Sequence, residues 1–214
     1  MKLALIGATG FVGSALLAEA LERGHEVTAL ARTPAKIAAQ PHLNVAQADV
    51  LDAAQVAAAA TGHDAVISAY NPGWKNADIF AEFGRGTRAI VEGVKRAGVK
   101  RLLVVGGAGS LYVAPGVQLV DTPHFPAEWK QGALAARDAL DMIRKEDALD
   151  WSFVSPAVIL EPGPSRGGFR FGGDEPLLQP DGQPAHLTVG DLAFAILDEI
   201  ESPRHVRQRF TVAY

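Results

Sequence analysis

Three glycines near the start of the chain constrain its fold more than any other sequence feature. Gly7, Gly10 and Gly13 have the spacing G-x-x-G-x-x-G, directly after the apolar run 3–6 and at the start of a helical pattern over 11–23. A glycine-rich turn between a strand and a helix is typical of a dinucleotide-binding unit. The first glycine permits the tight turn, the second admits a pyrophosphate, and the third lets the helix pack against the strand.

Strand and helix patterns alternate after this motif. We predict helices over 11–23, 53–60, 77–97, 127–147 and 188–201, a short helix opening at Pro34, and strands over 3–6, 26–30, 44–47, 65–68, 101–105, 151–155 and 208–213. Such alternation predicts an α/β fold with a single Rossmann-type, doubly wound parallel sheet and helices on both faces. We expect one NAD(P)-binding domain over 1–214, with ligands at the carboxyl ends of the strands.

Several segments have a weaker pattern. Residues 163–184 are rich in glycine and proline and are expected to be irregular, with Asp181-Gly182 turning a small hairpin. Thr188 and Asp191 resemble a capping box, with Asp in place of Glu or Gln. The three glycines within 77–97 indicate either close packing against the sheet or local flexibility. Residues 112–126 and 157–187 are expected to form the substrate-side loops.

Composition narrows the choice of partners. The chain of 214 residues has a net charge of −4 and no run of Lys or Arg, so nucleic acid is not expected. It has no cysteine, and its six histidines lack metal-binding spacing, so no metal is expected. The first apolar run is too short for a signal peptide, and no run is long enough for a membrane helix. We therefore expect a cytoplasmic protein, a monomer or a homodimer.

The choice between NAD and NADP depends on the end of the second strand. Arg32 lies nineteen residues after Gly13, where the residue that selects the cofactor is expected, and no carboxylate lies between Val27 and Lys36. Basic side chains there accommodate a 2′-phosphate, so Arg32 and Lys36 predict NADP. NAD remains a possible cofactor, because Arg32 and Lys36 can equally be solvated surface charges with no role in cofactor selection.

Four segments carry a family resemblance: Gly7–Gly13, Asp49-Val50, Val104-Val105-Gly106-Gly107-Ala108-Gly109-Ser110 and Ser155-Pro156-Ala157. Together they resemble the extended and atypical short-chain dehydrogenases/reductases. The segments 119–123 and 207–214 resemble more narrowly the bacterial NADH-flavin reductase type, which is related to NmrA-like and flavin/biliverdin reductase proteins. The resemblance implies a cofactor site made of Gly7, Thr9, Gly10, Phe11, Val12, Gly13, Arg32, Lys36, Asp49, Val50, Ser68, Ala69, Tyr70, Gly106, Gly107 and Pro156.

The catalytic pair Tyr-x-x-x-Lys, which most members of that superfamily use, is missing. Trp74 stands four residues after Tyr70, Gly116 stands four residues after Tyr112, and the third tyrosine ends the chain. This argues against epimerase, dehydratase or alcohol dehydrogenase chemistry. Hydride transfer to a flavin or quinone remains compatible, because solvent can supply the proton and the protein need only orient two rings.

Other side chains are candidates for the substrate side. Ser110 and Tyr112 are predicted as catalytic, although Ser110 fits a loop cap equally well. Tyr112, Trp74, Trp129 and Phe125 could stack on an aromatic ring or simply pack. His124 and His186 are candidate proton donors or ordinary surface residues. Arg166 and Arg170 would face an anionic substrate or lie in a mobile basic loop.

The sequence therefore predicts an NAD(P)H-dependent oxidoreductase that passes hydride to a flavin, a quinone or a similar small acceptor. Two alternatives stay open at this point. One is a non-catalytic NAD(P) sensor that binds a partner protein, as the NmrA-like resemblance allows. The other is an NAD-dependent enzyme of the epimerase/dehydratase kind.

Overall fold

A computed structural model describes residues 1–214 as alternating strands and helices. Five α-helices are present: α1 (Phe11–Glu22), α2 (Ala53–Ala60), α3 (Ile79–Arg96), α4 (Ala127–Ile143) and α5 (Val189–Glu201). Three single 3-10 turns accompany them, over Pro34–Lys36, Ala108–Ser110 and Leu119–Asp121, and the first is the short helix predicted at Pro34. The twelve strands are β1 (Lys2–Ile6), β2 (Glu26–Ala31), β3 (Leu43–Gln47), β4 (Ala65–Ser68), β5 (Arg101–Val105), β6 (Tyr112–Ala114), β7 (Val117–Gln118), β8 (Asp150–Pro156), β9 (Ile159–Glu161), β10 (Arg170–Gly172), β11 (His186–Thr188) and β12 (Gln208–Ala213).

Eight strands form the central sheet in the order β10-β12-β8-β5-β4-β1-β2-β3. All of its neighbouring pairs are parallel except β10 with β12. Ile6 at the end of β1 pairs with Leu30 of β2 and with Ser68 of β4, so the turns that follow these strands meet at the carboxyl edge. The strand order reverses at β1, which confirms the predicted doubly wound Rossmann-type sheet and places the glycine turn at the switch point.

Both faces of the sheet are covered, as predicted. On one face, α1 and α5 pack over a core that includes Leu5, Leu16 and Ile196. On the other face, α2, α3 and α4 pack over a second core that includes Ile6 and Phe153. A strand buried on both sides needs a continuous apolar run, and β5 reads Arg-Leu-Leu-Val-Val. None of the helices combines the length and the apolar character that a membrane-spanning segment needs.

The glycines of α3 correct one expectation. A Cβ on Gly86 would lie 2.2 Å from the Tyr70 ring, and one on Gly93 would lie 2.6 Å from the Val56 Cβ on α2. A Cβ on Gly84 would approach only the end of the Arg88 side chain, at 3.5 Å. Two of the three glycines thus serve close packing, but against a tyrosine ring and a helix rather than against the sheet.

The segment between β8 and α5 holds more regular structure than predicted. It contains β9, β10 and β11, and β11 runs parallel to β9. The predicted turn at Asp181-Gly182 is present, with Gly182 at φ +83° and one antiparallel bridge between Leu178 and Pro184. The helices over 77–97 and 127–147 are each slightly shorter than predicted, at Ile79–Arg96 and Ala127–Ile143.

Candidate functional site

Two glycines of the first turn are required by the packing of the chain itself. Gly7 has φ +84°, and a Cβ there would lie 2.4 Å from the carbonyl oxygen of Ala69. A Cβ on Gly13 would lie 1.9 Å from the carbonyl oxygen of Gly7. Any side chain at either position would force the turn after β1 away from the turn after β4 or away from α1. These contacts explain Gly7 and Gly13 without any ligand.

Gly10 differs from both. Its backbone has φ −82° and ψ 171°, a conformation that any residue adopts. A Cβ there would meet only the Gly7 carbonyl oxygen, at 3.3 Å, a tight contact that a shift of a few tenths of an ångström relieves. The protein therefore crowds Gly10 from one side only. The backbone N–H groups of Phe11, Val12 and Gly13 open α1 and have no acceptor within the helix, and its first turn carries no acidic residue. Space, free donors and the helix dipole together favour an anionic group such as a pyrophosphate.

Thr9 and Phe11 complete the exposed side of this turn. Thr9 is exposed and Phe11 is 50% exposed, whereas Val12 is partly buried against the core. The turn thus presents backbone donors and one aromatic ring to solvent. The structure places all six residues predicted for the phosphate turn in one stretch, at the switch point of the sheet.

The turn after β4 lies directly beside the phosphate turn. Ser68 is buried, and its Oγ accepts a 3.4 Å hydrogen bond from the backbone N–H of Tyr70. The half-buried Tyr70 hydroxyl donates to the carbonyl oxygen of Glu82 at 3.5 Å. Burial, followed by the negative charge of Glu82, raises the pKa of Tyr70 to about 12, although Arg32 acts in the opposite direction. Tyr70 is therefore a neutral phenol at physiological pH.

Arg32, one of the two predicted cofactor selectors, acts on this phenol. Arg32 and Asp49 shift the pKa of Tyr70 in opposite directions, which places both side chains within electrostatic range of its hydroxyl. Arg32 and Lys36 are exposed, and neither is paired with a carboxylate. The Asp49 carboxylate accepts a 3.0 Å hydrogen bond from the backbone N–H of Leu51.

Asp49 therefore shapes the β3–α2 turn. Val50, the residue next to it, is buried at 9% exposure, so it supports the turn from the core. The adenine-side roles of Asp49 and Val50 and the NADP selection by Arg32 and Lys36 stay predictions.

The loop after β5 is the second part of the predicted cofactor site. A Cβ on Gly106 would lie 2.0 Å from the Phe153 ring, so this glycine is required by packing against β8. A Cβ on Gly107 would make only an ordinary 3.8 Å contact with the Ala136 Cβ of α4. Pro156 is buried at the end of β8, where it pairs with Val212. The loops after β5 and β8 thus lie side by side at the carboxyl edge.

Ser110 occupies a different environment from the one expected of a catalytic hydroxyl. Its side chain is 2% exposed, and its Oγ accepts a 3.3 Å hydrogen bond from the Arg209 guanidinium. Arg209 also donates to the Ser110 carbonyl oxygen and to Asp174. A buried hydroxyl held by Arg209 fits a structural role in this loop, and the catalytic role of Ser110 stays a prediction. Tyr112 is half-buried in β6, with its backbone N–H donating to the Asp174 carbonyl oxygen.

The other candidates are spread over the surface. His124 and Arg166 are exposed. Arg170 donates to the carbonyl oxygens of Tyr214 and Leu178. Its guanidinium therefore links β10 to the chain end and to the loop at Leu178, a structural role that does not involve an anion. His186 packs edge-on against the Tyr214 ring, at 5.0 Å between centroids. It lines a cleft of about 570 Å³ beyond β12, together with Arg170, Leu178, Gln179, Pro180, Ala185 and Tyr214.

A second cleft, of about 620 Å³, lies between α1 and α5, on the face of the sheet that these helices cover. Neither cleft includes the phosphate turn, which lies open to solvent.

Sequence reasoning missed two buried polar groups. Arg209 lies in β12, which reads Gln-Arg-Phe-Thr-Val-Ala, and an arginine directly before Phe210 in a predicted strand was the available signal. Asp191 was predicted as part of a capping box, and its N–H does donate to Thr188 Oγ1 at 3.2 Å. Its carboxylate, however, accepts from Ser165 Oγ, from the backbone N–H groups of 166 and 167, and from the Tyr214 hydroxyl. Asp191 thus fastens the 163–167 loop and the end of β12 to α5.

Comparisons with known proteins agree with this geometry. The model of the NAD(P)H-binding family matches residues 7–201. YwnB, an uncharacterised protein of Bacillus subtilis, is 37% identical over 215 residues, covering 99% of this chain and 98% of YwnB. A solved structure of a candidate NADH-flavin reductase from Streptococcus pneumoniae is 35% identical, with a TM-score of 0.86, and covers 100% of this chain and 99% of that one. A candidate epimerase from Bacteroides thetaiotaomicron is 46% identical, with a TM-score of 0.92, and covers 100% and 96%.

Proposed function

Because this chain belongs to the NAD(P)H-binding family, we propose that it is a reductase that uses NADPH in preference to NADH and passes hydride to a flavin, a quinone or a similar planar acceptor. One observation carries the cofactor part of the proposal. Of the three glycines in the first turn, Gly10 has the least crowded Cβ position, because a Cβ there would meet a single atom, the Gly7 carbonyl oxygen at 3.3 Å, whereas a Cβ on Gly7 or Gly13 would overlap backbone atoms. The space it preserves faces the free N–H groups of α1, which suit a pyrophosphate.

The residues present fit a dinucleotide along the carboxyl edge of the sheet. Gly10 and the N-terminus of α1 would hold the phosphates, Arg32 and Lys36 would receive the 2′-phosphate, and Gly107 and Pro156 would flank the nicotinamide. When bound, the reduced nicotinamide supplies a hydride from C4, and the acceptor takes that hydride plus one proton from solvent while the dinucleotide leaves oxidised. The chain's own part is to bind and orient both molecules.

The absence of a Tyr-x-x-x-Lys pair supports this acceptor class over a carbonyl substrate. A carbonyl needs a positioned acid to protonate its oxygen, whereas a reduced flavin or quinone exchanges its proton with water. The buried, Arg209-bound Ser110 offers no obvious substitute for that acid. The resemblance to a candidate NADH-flavin reductase of the same length points to the same class of acceptor.

Gly10→Val tests the cofactor site. The side chain would occupy the pyrophosphate space, and losing two charge-assisted hydrogen bonds would weaken NADP⁺ binding more than about a hundredfold. The matched control is Gly173→Val, because a Cβ on Gly173 meets nothing within 4 Å. Binding is measured by titration calorimetry and folding by thermal melting. Unchanged NADP⁺ affinity in a folded Gly10→Val protein would refute the site.

Turnover tests the reductase itself. Adding FMN or a naphthoquinone to wild-type protein and NADPH should start steady NADPH oxidation, seen as loss of its absorbance. Tight NADP⁺ binding with no oxidation under any of these acceptors would contradict the reductase and favour a dinucleotide sensor.

A further inference from the structure

Two large aromatic side chains are exposed near the predicted site. Trp74 is 56% exposed and Trp129 is 50% exposed, whereas the third tryptophan, Trp151, is 3% exposed. Trp74 lies in the loop after β4, and Trp129 lies in the first turn of α4. Both therefore lie at the carboxyl edge of the sheet, on the same side as the glycine turn. Their exposure alone marks no binding site, so their placement on α4 has to carry the argument.

The Trp74 indole is seated on the backbone of α4. A Cβ on Gly132 would lie 2.6 Å from Cζ3 of Trp74 and 3.0 Å from Cδ1 of Ile79, so only glycine leaves room for the ring. Glycine inside a helix costs about 1 kcal/mol relative to alanine. Gly132 therefore lowers the stability of α4 at the position where the Trp74 indole packs. We read this cost as a sign that the indole has a defined position on the helix, because a freely moving ring would not need a glycine there.

The same face of α4 reaches the loop after β5. Ala136 lies one turn after Gly132, and its Cβ is the atom that a Cβ on Gly107 would meet at 3.8 Å. Trp129 lies three residues before Gly132, so the two are neighbours on the helix surface. From Trp129 to Ala136 the helix advances about 10 Å. One helix face therefore carries, in order, an exposed indole, the seat of a second indole and the contact with Gly107.

We propose that Trp74 and Trp129 form an aromatic platform that binds the flat ring system of the electron acceptor, with a flavin as its chemical class. This inference rests on the proposed function, which places the acceptor beside the loop of Gly107. Indole faces stack favourably on flat heteroaromatic rings and tolerate differences in ring substituents. Tyr112 and Phe125, the other aromatic candidates, are half-buried and offer less open ring face than the two tryptophans.

Flavin binding is measured on full-length protein saturated with NADP⁺, which holds the cofactor site filled and prevents turnover. FMN is the probe, and its own fluorescence, excited where tryptophan does not absorb, is quenched by stacking on an indole. We expect wild-type protein to quench it saturably. Trp74→Leu and Trp129→Leu remove the aromatic face but keep apolar bulk, and each should weaken FMN binding about tenfold. NADP⁺ affinity should stay within twofold in both variants.

Two controls separate this platform from other sites. Phe194→Leu removes an aromatic ring of comparable exposure, 37%, on the distant α5 and should leave FMN binding unchanged. His186→Ala alters the cleft beyond β12 and should also have no effect. Unchanged FMN affinity in both tryptophan variants, or a wild-type protein that binds NADP⁺ but no FMN, would overturn the platform. A wild-type protein that binds no dinucleotide would instead defeat the proposed function.

Discussion

Replacing Glu199 by glutamine tests the buried ion pair at the amino edge of the sheet. The Glu199 side chain is 1% exposed and pairs with Arg101 at 2.9 Å. Its two oxygens accept from four donors: Arg101 Nη2, the backbone N–H groups of Arg204 and His205, and Nδ1 of His205. The single hydroxyl proton of Ser152, 3.2 Å from Glu199, has a nearer acceptor in the His205 carbonyl oxygen at 2.8 Å. The carboxylate therefore joins α5, β5 and the turn before β12.

The expected loss follows from counting these donors. A glutamine has one oxygen, which accepts about two hydrogen bonds, so about two of the four donors lose their acceptor. At roughly 1.5 kcal/mol for each bond to a charged group, Glu199→Gln should lower the free energy of unfolding by about 3 kcal/mol. That value falls at the lower end of the 3–5 kcal/mol typical of breaking a buried ion pair.

The pH dependence has a definite sign. Burial alone would raise the pKa of Glu199, but the hydrogen bonds from His205 and Arg204 outweigh it and hold the pKa below the ordinary value of 4.5. A carboxylate with a lowered pKa stabilises the fold fully above that ordinary value, and the contribution is lost as pH falls through the lowered one. The difference between wild type and Glu199→Gln should therefore be full near pH 7 and shrink below about pH 4.

Urea unfolding at several pH values measures this difference. Asp198→Asn is the matched control, because Asp198 is the neighbouring residue on α5 and its carboxylate, 30% exposed, shares Arg23 with two other acidic residues. It should cost less than about 1 kcal/mol. A Glu199 variant no less stable than the control, or a difference that is constant from acid to neutral pH, would refute the reasoning.

Two further predictions concern the predicted site. Arg32→Asp should shift the preference from NADP toward NAD by about tenfold or more, because the new carboxylate repels a 2′-phosphate and can accept from a 2′-hydroxyl. Equal calorimetric affinities for both cofactors in wild type and variant would show that Arg32 is not the selector. Tyr112→Phe should lower NADPH oxidation with FMN by far less than the roughly hundredfold loss expected of a general acid. A hundredfold loss across pH 6 to 9, with cofactor affinity unchanged, would make the phenol catalytic.

The parts of the fold that could be predicted are those in which local pattern and tertiary contact agree. β1, α1 and β5 each carry an uninterrupted apolar pattern with a glycine beside one end, so their bounds follow within a residue or two. The short strands β6, β7, β9, β10 and β11 have two or three residues each. β6 and β7 pair with each other, whereas β9, β10 and β11 pair with distant segments. A local pattern of that length carries too little information to separate a strand from a loop.

The candidate site divides in the same way. The glycine turn was predictable because the positive φ of Gly7 and the close backbone contacts of Gly7 and Gly13 favour glycine at both positions. Ser110 was not, because its environment is set by Arg209, 99 residues away in the chain and on a different strand. The packing of Trp74 against Gly132 could not be predicted either. Nothing in the sequence near these two residues indicates that the loop after β4 contacts α4.

The antiparallel strand β10 also affects the tendency of this chain to aggregate through the edge of its sheet. An uncovered edge of a sheet presents unpaired N–H and C=O groups on which another polypeptide can add a strand. β10 pairs with residues 211–213 of β12, and its three residues leave an outer edge too short for a stable addition, with the exposed Arg170 at one end. At the opposite edge, β3 carries the exposed polar side chains of Asn44 and Gln47. The 157–187 segment, which contains β10, therefore also protects against aggregation, since removing β10 would leave residues 211–213 of β12 as an unpaired edge.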